Sequence, residues 1–261
     1  MNAPISTSRR AGPAPPPELR QAPPPAGGAA NRPLKVGGLV PFSATDYPGR
    51  FSLVVFVQGC PWRCAYCHNP HLQVRGDAGA LQWPAIVERL RRRVGLIDAV
   101  VFSGGEPTID PALQGAMREV RGLGFLVGLH TAGAYPHRLA QVLELVDWVG
   151  LDIKAPAHGY DAITGAVDSA RNAFSSVKLV LEWGVACEVR TTIHPALHAE
   201  EAIWQLAQTL SAMGVRHYAL QLYRATGCTD PSLPSVAGDY PGSDLLRRLA
   251  GLFASFTLRR D

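Results

Sequence analysis

The sequence lacks any long hydrophobic run. Its apolar stretches stay well short of the ~20 residues that a membrane-spanning helix requires. Residues 1–33 contain arginines but not the apolar core that a secretory signal needs. We therefore predict no membrane partner and a cytoplasmic location.

The sequence also lacks a large net charge and an even number of cysteines. The formal net charge is +4, and several of the arginines lie in the N-terminal segment, so we predict no nucleic acid partner. The cysteines number five, an odd count, and three of them lie between positions 60 and 67. This pattern argues against a secreted disulfide framework and favours a metal centre in a reducing compartment.

Proline, alanine and glycine dominate the N-terminal segment. Residues 1–34 have too few apolar side chains to bury a core, and we expect them to form a disordered tail. Residues 35–261 are long enough to form a domain with a substantial core. We therefore predict one folded domain that follows a Pro/Ala-rich tail.

The folded part alternates between short apolar runs and helical patterns. After a leading segment with a turn at Asp46–Gly49, strands are predicted over 51–58, 98–103, 125–130, 148–153, 186–193 and 216–223. Helices are predicted over 83–94, 110–122, 135–146, 168–183, 199–213 and 243–255. We expect Asp110 to begin a helix, and Gly124 and Gly184 to end helices.

This alternation of strands and helices indicates a parallel sheet with right-handed crossovers. The predicted units are too few for a closed eight-stranded barrel. We therefore predict an α/β fold, a partial open (βα)6 barrel with parallel strands. In such folds the chemistry takes place at the C-terminal ends of the strands, so functional residues should follow the strands directly.

Three cysteines follow the first predicted strand with the spacing C-x3-C-x2-C, namely Cys60, Cys64 and Cys67. Thiolates hold the irons of cubic iron–sulfur clusters, so three in one loop would hold a 4Fe-4S cluster and leave one iron open to a ligand. A structural zinc site with His68 or His71 as a fourth ligand is the alternative, but a second C-x2-C pair is missing. We expect Cys187 in the core, and the role of Cys228 stays open.

The cysteine spacing, with Tyr66 directly before the last cysteine, resembles that of the radical S-adenosylmethionine (radical SAM) family. The resemblance covers about residues 35–225, where PFSATDYPG, GCPWRCAYCHN, SGGEPT and LDIK occur in this order. These sequences resemble the anaerobic ribonucleoside-triphosphate reductase activating proteins, which are glycyl-radical-enzyme activases. Pyruvate formate-lyase activases share the YCHNP sequence and stay an alternative. From its place directly before Cys67, Tyr66 is expected to shield the cluster, and an aromatic side chain that only packs is the alternative.

The resemblance implies two cofactors, a 4Fe-4S cluster and S-adenosylmethionine (SAM). In that family the motif that corresponds to Gly104-Gly105-Glu106 contacts the amino group of SAM. The LDIK sequence is similar to an LDLK-type motif of the activase SAM pocket. Lys154 would then neutralise the SAM carboxylate, and Asp152 would hold the lysine or the ribose.

Two later strand ends are compared with the same family. Related activases have a D/E-T-N-G sequence where this chain has His130-Thr131-Ala132-Gly133, so Thr131 and Gly133 match and the acidic residue is missing. Arg190 would approach the ribose or the carboxylate of SAM. His194 resembles a late histidine of activase SAM pockets, although a histidine before proline also occurs in structural roles.

The resemblance implies a mechanism and two protein partners. A reduced cluster passes one electron to SAM, and the resulting 5′-deoxyadenosyl radical removes a hydrogen atom from a glycine of anaerobic ribonucleoside-triphosphate reductase. A donor such as flavodoxin or ferredoxin would reduce the cluster. Two alternatives stay open: a radical SAM enzyme that activates pyruvate formate-lyase or modifies another substrate, and a non-catalytic metal-binding module.

Overall fold

One sheet forms the centre of the fold. The structure, a computed structural model, describes residues 33–76, 81–228 and 230–260. The strands in these ranges are β1 (Val36–Ser43), β2 (Ser52–Val57), β3 (Ala99–Gly104), β4 (Leu126–Thr131), β5 (Trp148–Asp152), β6 (Ala186–Ile193), β7 (His217–Leu222) and β8 (Ser255–Arg259). The helices are α1 (Trp83–Arg91), α2 (Leu113–Gly122), α3 (Pro136–Val142), α4 (Tyr160–Thr164), α5 (Ser169–Trp183), α6 (Glu200–Ala212) and α7 (Ser243–Leu252).

The predicted α/β fold with an open, mostly parallel sheet is confirmed. The strands lie in chain order from β1 to β8. Strands β1 and β2 are antiparallel, and every later neighbour pairs in parallel. The predicted strands correspond to β2 through β7. Across the described ranges, no helix combines the length and the apolar character that crossing a membrane would need.

Neither edge strand is among the predictions. Strand β1 comes from the leading segment, where Gly37, Gly38 and Pro41 interrupt the alternation of side chains; such residues are tolerated at a sheet edge. Strand β8 lies where the last predicted helix was expected to end. Helix α7 stops before Phe253, which has extended backbone angles, so the prediction of a helix over 243–255 is wrong at its C-terminal end.

Two glycines end helices as predicted, whereas one predicted helix start is wrong. Asp110 does not begin α2. Its carboxylate accepts hydrogen bonds from the backbone N–H groups of Ala112 and Lys35, at 2.9 and 3.0 Å, and so ties the start of the domain to this turn. Gly124 and Gly184 have φ values of 89° and 77° directly after α2 and α5, as expected of residues that end helices.

The predicted tail falls almost entirely outside the described residues, since residues 1–32 are not described. Leu34, at the end of that segment, is buried in the main core. The described part of the chain therefore joins the packed domain directly before β1.

The outer face of the sheet packs against the helices. Because successive side chains of a strand point to opposite faces, one set of residues faces outward throughout. Val55, Phe102, Leu129 and Leu151 belong to this set, and all are fully buried in the main core. Burial of each such side chain contributes roughly 1.5–3 kcal/mol, so this face contributes strongly to stability.

A smaller apolar cluster fills the inner side of the sheet at its N-terminal end. Tyr47, from the β1–β2 turn, places its ring 5.5 Å from that of Trp148, and Val54, Ala99 and Val101 complete the buried part of the cluster. Gly128 leaves room for the tyrosine, because a Cβ there would lie 3.1 Å from its Cδ2 atom. The space left inside the sheet is therefore at the C-terminal ends of the strands.

Candidate functional site

The C-terminal ends of the strands surround a cavity of about 270 Å3. This is where parallel topology predicts a functional site. The predicted site residues that line the cavity are Cys60, Cys64, Tyr66, Cys67, Gly104, Gly105, Thr131, Asp152, Lys154 and Arg190. Two predicted residues, Glu106 and His194, do not line it.

The cysteine loop, residues 58–76, is fixed by backbone hydrogen bonds on two sides. Within the loop, the N–H of Cys60 donates to the carbonyl of Gln73 at 3.1 Å. From outside it, the carbonyl of Thr164 at the end of α4 accepts the N–H of Arg63 at 2.7 Å. The three thiols are therefore presented to the cavity by a well-supported backbone.

Gly104 and Gly105 let β3 approach this loop closely. Gly104 has a φ of 129°, and a Cβ there would lie 2.3 Å from the carbonyl oxygen of Val57. A Cβ on Gly105 would lie 2.4 Å from the carbonyl oxygen of Gly59. Both positions require glycine for packing alone, and both expose backbone to the cavity.

Glu106 is fully buried behind the cavity wall. Its Oε1 accepts hydrogen bonds from the backbone N–H and the hydroxyl of Thr108, at 3.1 and 2.6 Å, and from the hydroxyl of Thr131 at 2.7 Å. Its Oε2 accepts the N–H of Ala132 at 2.9 Å. The carboxylate therefore joins the ends of β3 and β4 and supports the wall from behind.

Asp152, Lys154 and Arg190 form a charge group beside the cysteines, in which Arg190 is buried and the other two are partly buried. Arg190 Nε donates to Asp152 Oδ1 at 2.9 Å, and Lys154 Nζ lies 3.5 Å from Asp152 Oδ2. Burial acts to raise the pKa of Asp152, but Arg190 and Lys154 outweigh it and lower that pKa to about 2. Burial acts to lower the pKa of Lys154, and the charge of Asp152 raises it above its ordinary value. With two positive charges and one negative, the group suits an anionic ligand.

His130 is a neutral side chain at the end of β4. Its Nε2 lies 2.7 Å from the backbone carbonyl of Asp46, so this nitrogen carries the hydrogen and donates it. Burial and the charge of Arg190 lower the pKa of His130 to about 3. A carboxylate oxygen of Asp46 lies 3.9 Å from His130 Nδ1. The β1–β2 turn thus places the carboxylate of Asp46 beside His130, the position at which the D/E-T-N-G sequence would have an acidic residue.

Tyr66 and His194 differ in their relation to the cavity. Tyr66 lines it, Lys154 Nζ lies 5.8 Å from the centre of its ring, and its buried hydroxyl has no hydrogen-bond partner among the described residues. His194 Nδ1 accepts the N–H of Ala196 at 3.1 Å, and its Nε2 lies 3.0 Å from the carbonyl of Pro234. Both ring nitrogens of His194 therefore make bonds that hold the loops around it.

Asp46, Thr192 and Arg259 are among the cavity residues outside the predicted cofactor and metal site. Gln221 also lines the cavity, and its place at the end of the last predicted strand favours such a position. Strand alternation gave a usable signal for Thr192, which shares a face with Arg190 and pairs with Gln221. Arg259 had no such signal, because β8 is not predicted. It forms a salt bridge with Glu188 on β6 at 2.8 Å.

The cysteine set fits an iron–sulfur cluster by its chemistry. The three loop cysteines are free thiols, and they open into one cavity. Burial raises the pKa of Cys60 to about 12 and also raises that of Cys64, so metal binding would have to displace their protons. In the described ranges, no group of three or more His, Cys, Asp or Glu side chains is arranged to hold a metal ion. A cluster differs from a single ion because its irons each take one thiolate.

Comparisons with known proteins place the chain in a family. A family model described as the radical SAM superfamily matches residues 54–210. A Methanocaldococcus jannaschii protein named as a glycyl-radical enzyme activating enzyme is 28% identical over 223 residues, which are 82% of this chain and 89% of that protein. The pyruvate formate-lyase-activating enzyme of Clostridium pasteurianum is 33% identical over 172 residues, 63% of this chain and 71% of that enzyme.

A solved structure shares the fold. Streptococcus suis SuiB bound to S-adenosylmethionine superposes with a TM-score of 0.61 and 16% identity, over 78% of this chain and 48% of that chain. At this identity the likeness concerns the fold alone. The family model, in contrast, spans more than half of the chain. The chain therefore belongs to the radical SAM superfamily, whose members use a 4Fe-4S cluster and S-adenosylmethionine.

Proposed function

We propose that this chain is a glycyl-radical enzyme activase that uses SAM and a 4Fe-4S cluster to generate a glycyl radical on anaerobic ribonucleoside-triphosphate reductase. One observation carries the proposal: the three loop thiols and the Asp152–Lys154–Arg190 charge group open into the same cavity. A thiolate-held cluster and the amino-acid end of SAM need these two kinds of group side by side. The similarity to a protein named as an activating enzyme supports the reaction class.

In this proposal Cys60, Cys64 and Cys67 hold the cluster as thiolates. When bound and reduced, the cluster supplies the electron that turns SAM into a hydrogen-abstracting radical. Lys154 and Arg190 offer positive charge to the SAM carboxylate, because Asp152 neutralises only one of the two cations.

The remaining predicted site residues support this arrangement. The glycine pair at positions 104 and 105 offers backbone at close range to the amino group of SAM. Glu106 and Thr131 hold the adjoining wall in place through their mutual hydrogen bond of 2.7 Å. Tyr66 shields the cluster from one side, and His194 acts on the site through the loops that it holds.

A protein substrate must bring a glycine into the cavity. The sheet is open, with β1 and β8 at its two edges, so a loop of a partner has a route to the strand ends. The reductase is proposed as that partner because the sequences PFSATDYPG and GCPWRCAYCHN resemble those of its activating proteins. The relative from Clostridium pasteurianum favours pyruvate formate-lyase as the alternative. A flavodoxin or a ferredoxin in the cytoplasm would supply the electron.

The reaction class is tested first by the production of 5′-deoxyadenosine. The protein is loaded anaerobically with iron and sulfide and then given SAM and a strong reductant. We expect product from the wild-type protein and none from Cys64→Ala, which has too few thiolates to hold the cluster. Cys187→Ala is the matched control, since Cys187 lies on β6 away from the cavity and its loss should leave activity intact.

The partner is tested by electron paramagnetic resonance. The loaded protein is mixed with anaerobic ribonucleoside-triphosphate reductase or with pyruvate formate-lyase, and the glycyl radical doublet is recorded. A doublet on the reductase alone is the expected result. A doublet on pyruvate formate-lyase alone would replace the proposed partner with the alternative, and activity in Cys64→Ala would contradict the cluster assignment itself.

A further inference from the structure

We propose that Tyr160 and His198 are positioning residues that fix Lys154 relative to the cysteine loop. Each contacts an aromatic side chain of that loop and also binds one backbone group of Lys154. Neither residue lines the cavity. The inference rests on the proposed function in one respect, namely that the Lys154 side chain meets the carboxylate of SAM.

The first connection runs through Trp62 and Tyr160. Trp62 lies between Cys60 and Cys64, is buried, and packs edge-on against the Tyr160 ring at a centroid distance of 5.8 Å. The Tyr160 side chain is fully buried, and its hydroxyl oxygen accepts a hydrogen bond from the backbone N–H of Lys154 at 3.2 Å. The backbone nitrogen of Lys154 is thereby connected, through Tyr160 and Trp62, to the first half of the cysteine loop.

The second connection runs through Tyr66 and His198. Tyr66 precedes the last cysteine, and its ring lies 6.1 Å from that of His198, which is 2% exposed. His198 Nδ1 accepts the N–H of His194 at 3.3 Å, so the ring hydrogen is on Nε2. This Nε2–H donates to the carbonyl of Lys154 at 2.9 Å. The carbonyl of Lys154 is thereby tied to the second half of the cysteine loop.

Lys154 is therefore held at both of its backbone groups directly after β5. A lysine side chain has four flexible carbons, so the place that its ammonium reaches depends strongly on where its backbone is held. Each connection begins at a residue that lies between two of the cysteines. A shift of the cysteine loop would consequently shift Lys154, which couples the order of the loop to the affinity for an anionic ligand.

The first test compares Tyr160→Phe with Tyr218→Phe. Both variants lose one hydrogen-bonded, buried tyrosine hydroxyl, but that of Tyr218 donates to Thr191 Oγ1 in the main core, at 2.9 Å. The SAM dissociation constant of the iron-loaded protein and the melting temperature of the iron-free protein are measured. We expect Tyr160→Phe to bind SAM about tenfold more weakly with unchanged iron content. Tyr218→Phe should melt at a lower temperature and keep wild-type affinity.

The second test uses two substitutions of His198. His198→Phe keeps a ring against Tyr66 but removes the donor to Lys154, whereas His198→Gln keeps an N–H donor. We expect weaker SAM binding in the first variant and recovery in the second. The spectrum of the reduced cluster should respond to SAM in all variants, with half-maximal change at higher SAM concentration in Tyr160→Phe and His198→Phe. If His198→Phe does not fold, Tyr160→Phe still decides the question, since weaker SAM binding supports the inference and wild-type affinity overturns it.

The outcomes separate this inference from the proposed function. Wild-type SAM affinity in Tyr160→Phe and His198→Phe, beside weakened affinity in Lys154→Ala, would overturn the inference and leave the proposed function intact. Loss of iron in the two variants would also overturn it, since they would then hold the loop and not Lys154. Wild-type affinity in Lys154→Ala, or no SAM binding by the wild-type protein, would contradict the proposed function itself.

Discussion

The two faces of the sheet come from the same strands but carry different kinds of side chain. Leu129 and Leu151 point outward and are fully buried under the helices. The residues directly after them, His130 and Asp152, point inward and line the cavity. Because side chains alternate along a strand, a residue that stabilises the core and a residue that lines the cavity are direct neighbours in the sequence.

The two faces also differ in the free energy of folding. Apolar burial on the outer face is favourable without further conditions. On the inner face, the partial removal of Asp152, Lys154 and Arg190 from water costs free energy that their pairing offsets only in part. Outer-face substitutions should consequently change stability, and inner-face substitutions at the C-terminal strand ends should mainly change ligand binding.

The largest effect is expected from Leu129→Ala on the outer face. Removing this fully buried side chain leaves a cavity in the main core, which costs about 2–5 kcal/mol in the free energy of unfolding. Chemical denaturation of the iron-free protein measures it. Leu96→Ala is the control, since Leu96 is 71% exposed and its loss should change stability by less than about 0.5 kcal/mol. A stability loss as small as that of the control would contradict the assignment of the faces.

Lys154→Ala makes the opposite change, on the inner face. Asp152 keeps its bond to Arg190, so we expect little loss of stability. Loss of a charged partner for the SAM carboxylate should cost about 1.5–3 kcal/mol, a roughly tenfold to hundredfold weaker affinity. Equilibrium dialysis of the iron-loaded protein measures it, and Lys178→Ala on the surface of α5 is the matched control. Equal affinity in both variants would remove Lys154 from the site.

His130→Gln tests the inner face through pH. The folded pKa of His130 is about 3, below its ordinary 6.5, because burial and Arg190 disfavour the charged ring. Between these two values the unfolded chain binds more protons, so stability falls as the pH falls through this window. From pH 7 to pH 5 the contribution is about 2 kcal/mol, and it should be absent from the glutamine variant.

The measurement for His130→Gln is the free energy of unfolding of the iron-free protein at both pH values. Asp46 and Asp152 also face this histidine, and Asp152 has a pKa of about 2, so it stays charged in this range. Parallel pH curves for wild type and variant would mean that His130 is not a buried neutral ring.

Local sequence predicts the parts of this site that depend on neighbours along the chain. The cysteine loop, the glycine pair after β3 and the LDIK strand end all carry their spacing in a few residues. Arg190 follows from alternation on a single strand. These elements are predictable because each is fixed by one strand and the loop after it.

The other parts depend on contacts between distant segments. His198 binds Lys154 across 44 positions, and Arg259 reaches Glu188 across 71. Glu106 belongs to a motif that favours a ligand contact, yet Thr131 binds its carboxylate because β3 and β4 end side by side. No local pattern could have predicted these bonds, since they exist only once the strands are in order.

The smallest effect is expected from Tyr66→Phe, in the wall of the cavity. The Tyr66 hydroxyl is buried, and no described residue offers it a hydrogen bond, so it is a polar group kept on the inner face at a cost in stability. We expect the variant to be as stable as wild type, or up to about 1 kcal/mol more stable, by chemical denaturation of the iron-free protein. Tyr218→Phe, which loses a bonded hydroxyl, should be less stable than wild type. The SAM affinity of the variant then shows what the hydroxyl does. Unchanged affinity means that only the ring matters, as proposed for a side chain that shields the cluster. Weaker affinity would mean that the hydroxyl has a hydrogen-bond partner once the cluster and SAM are bound.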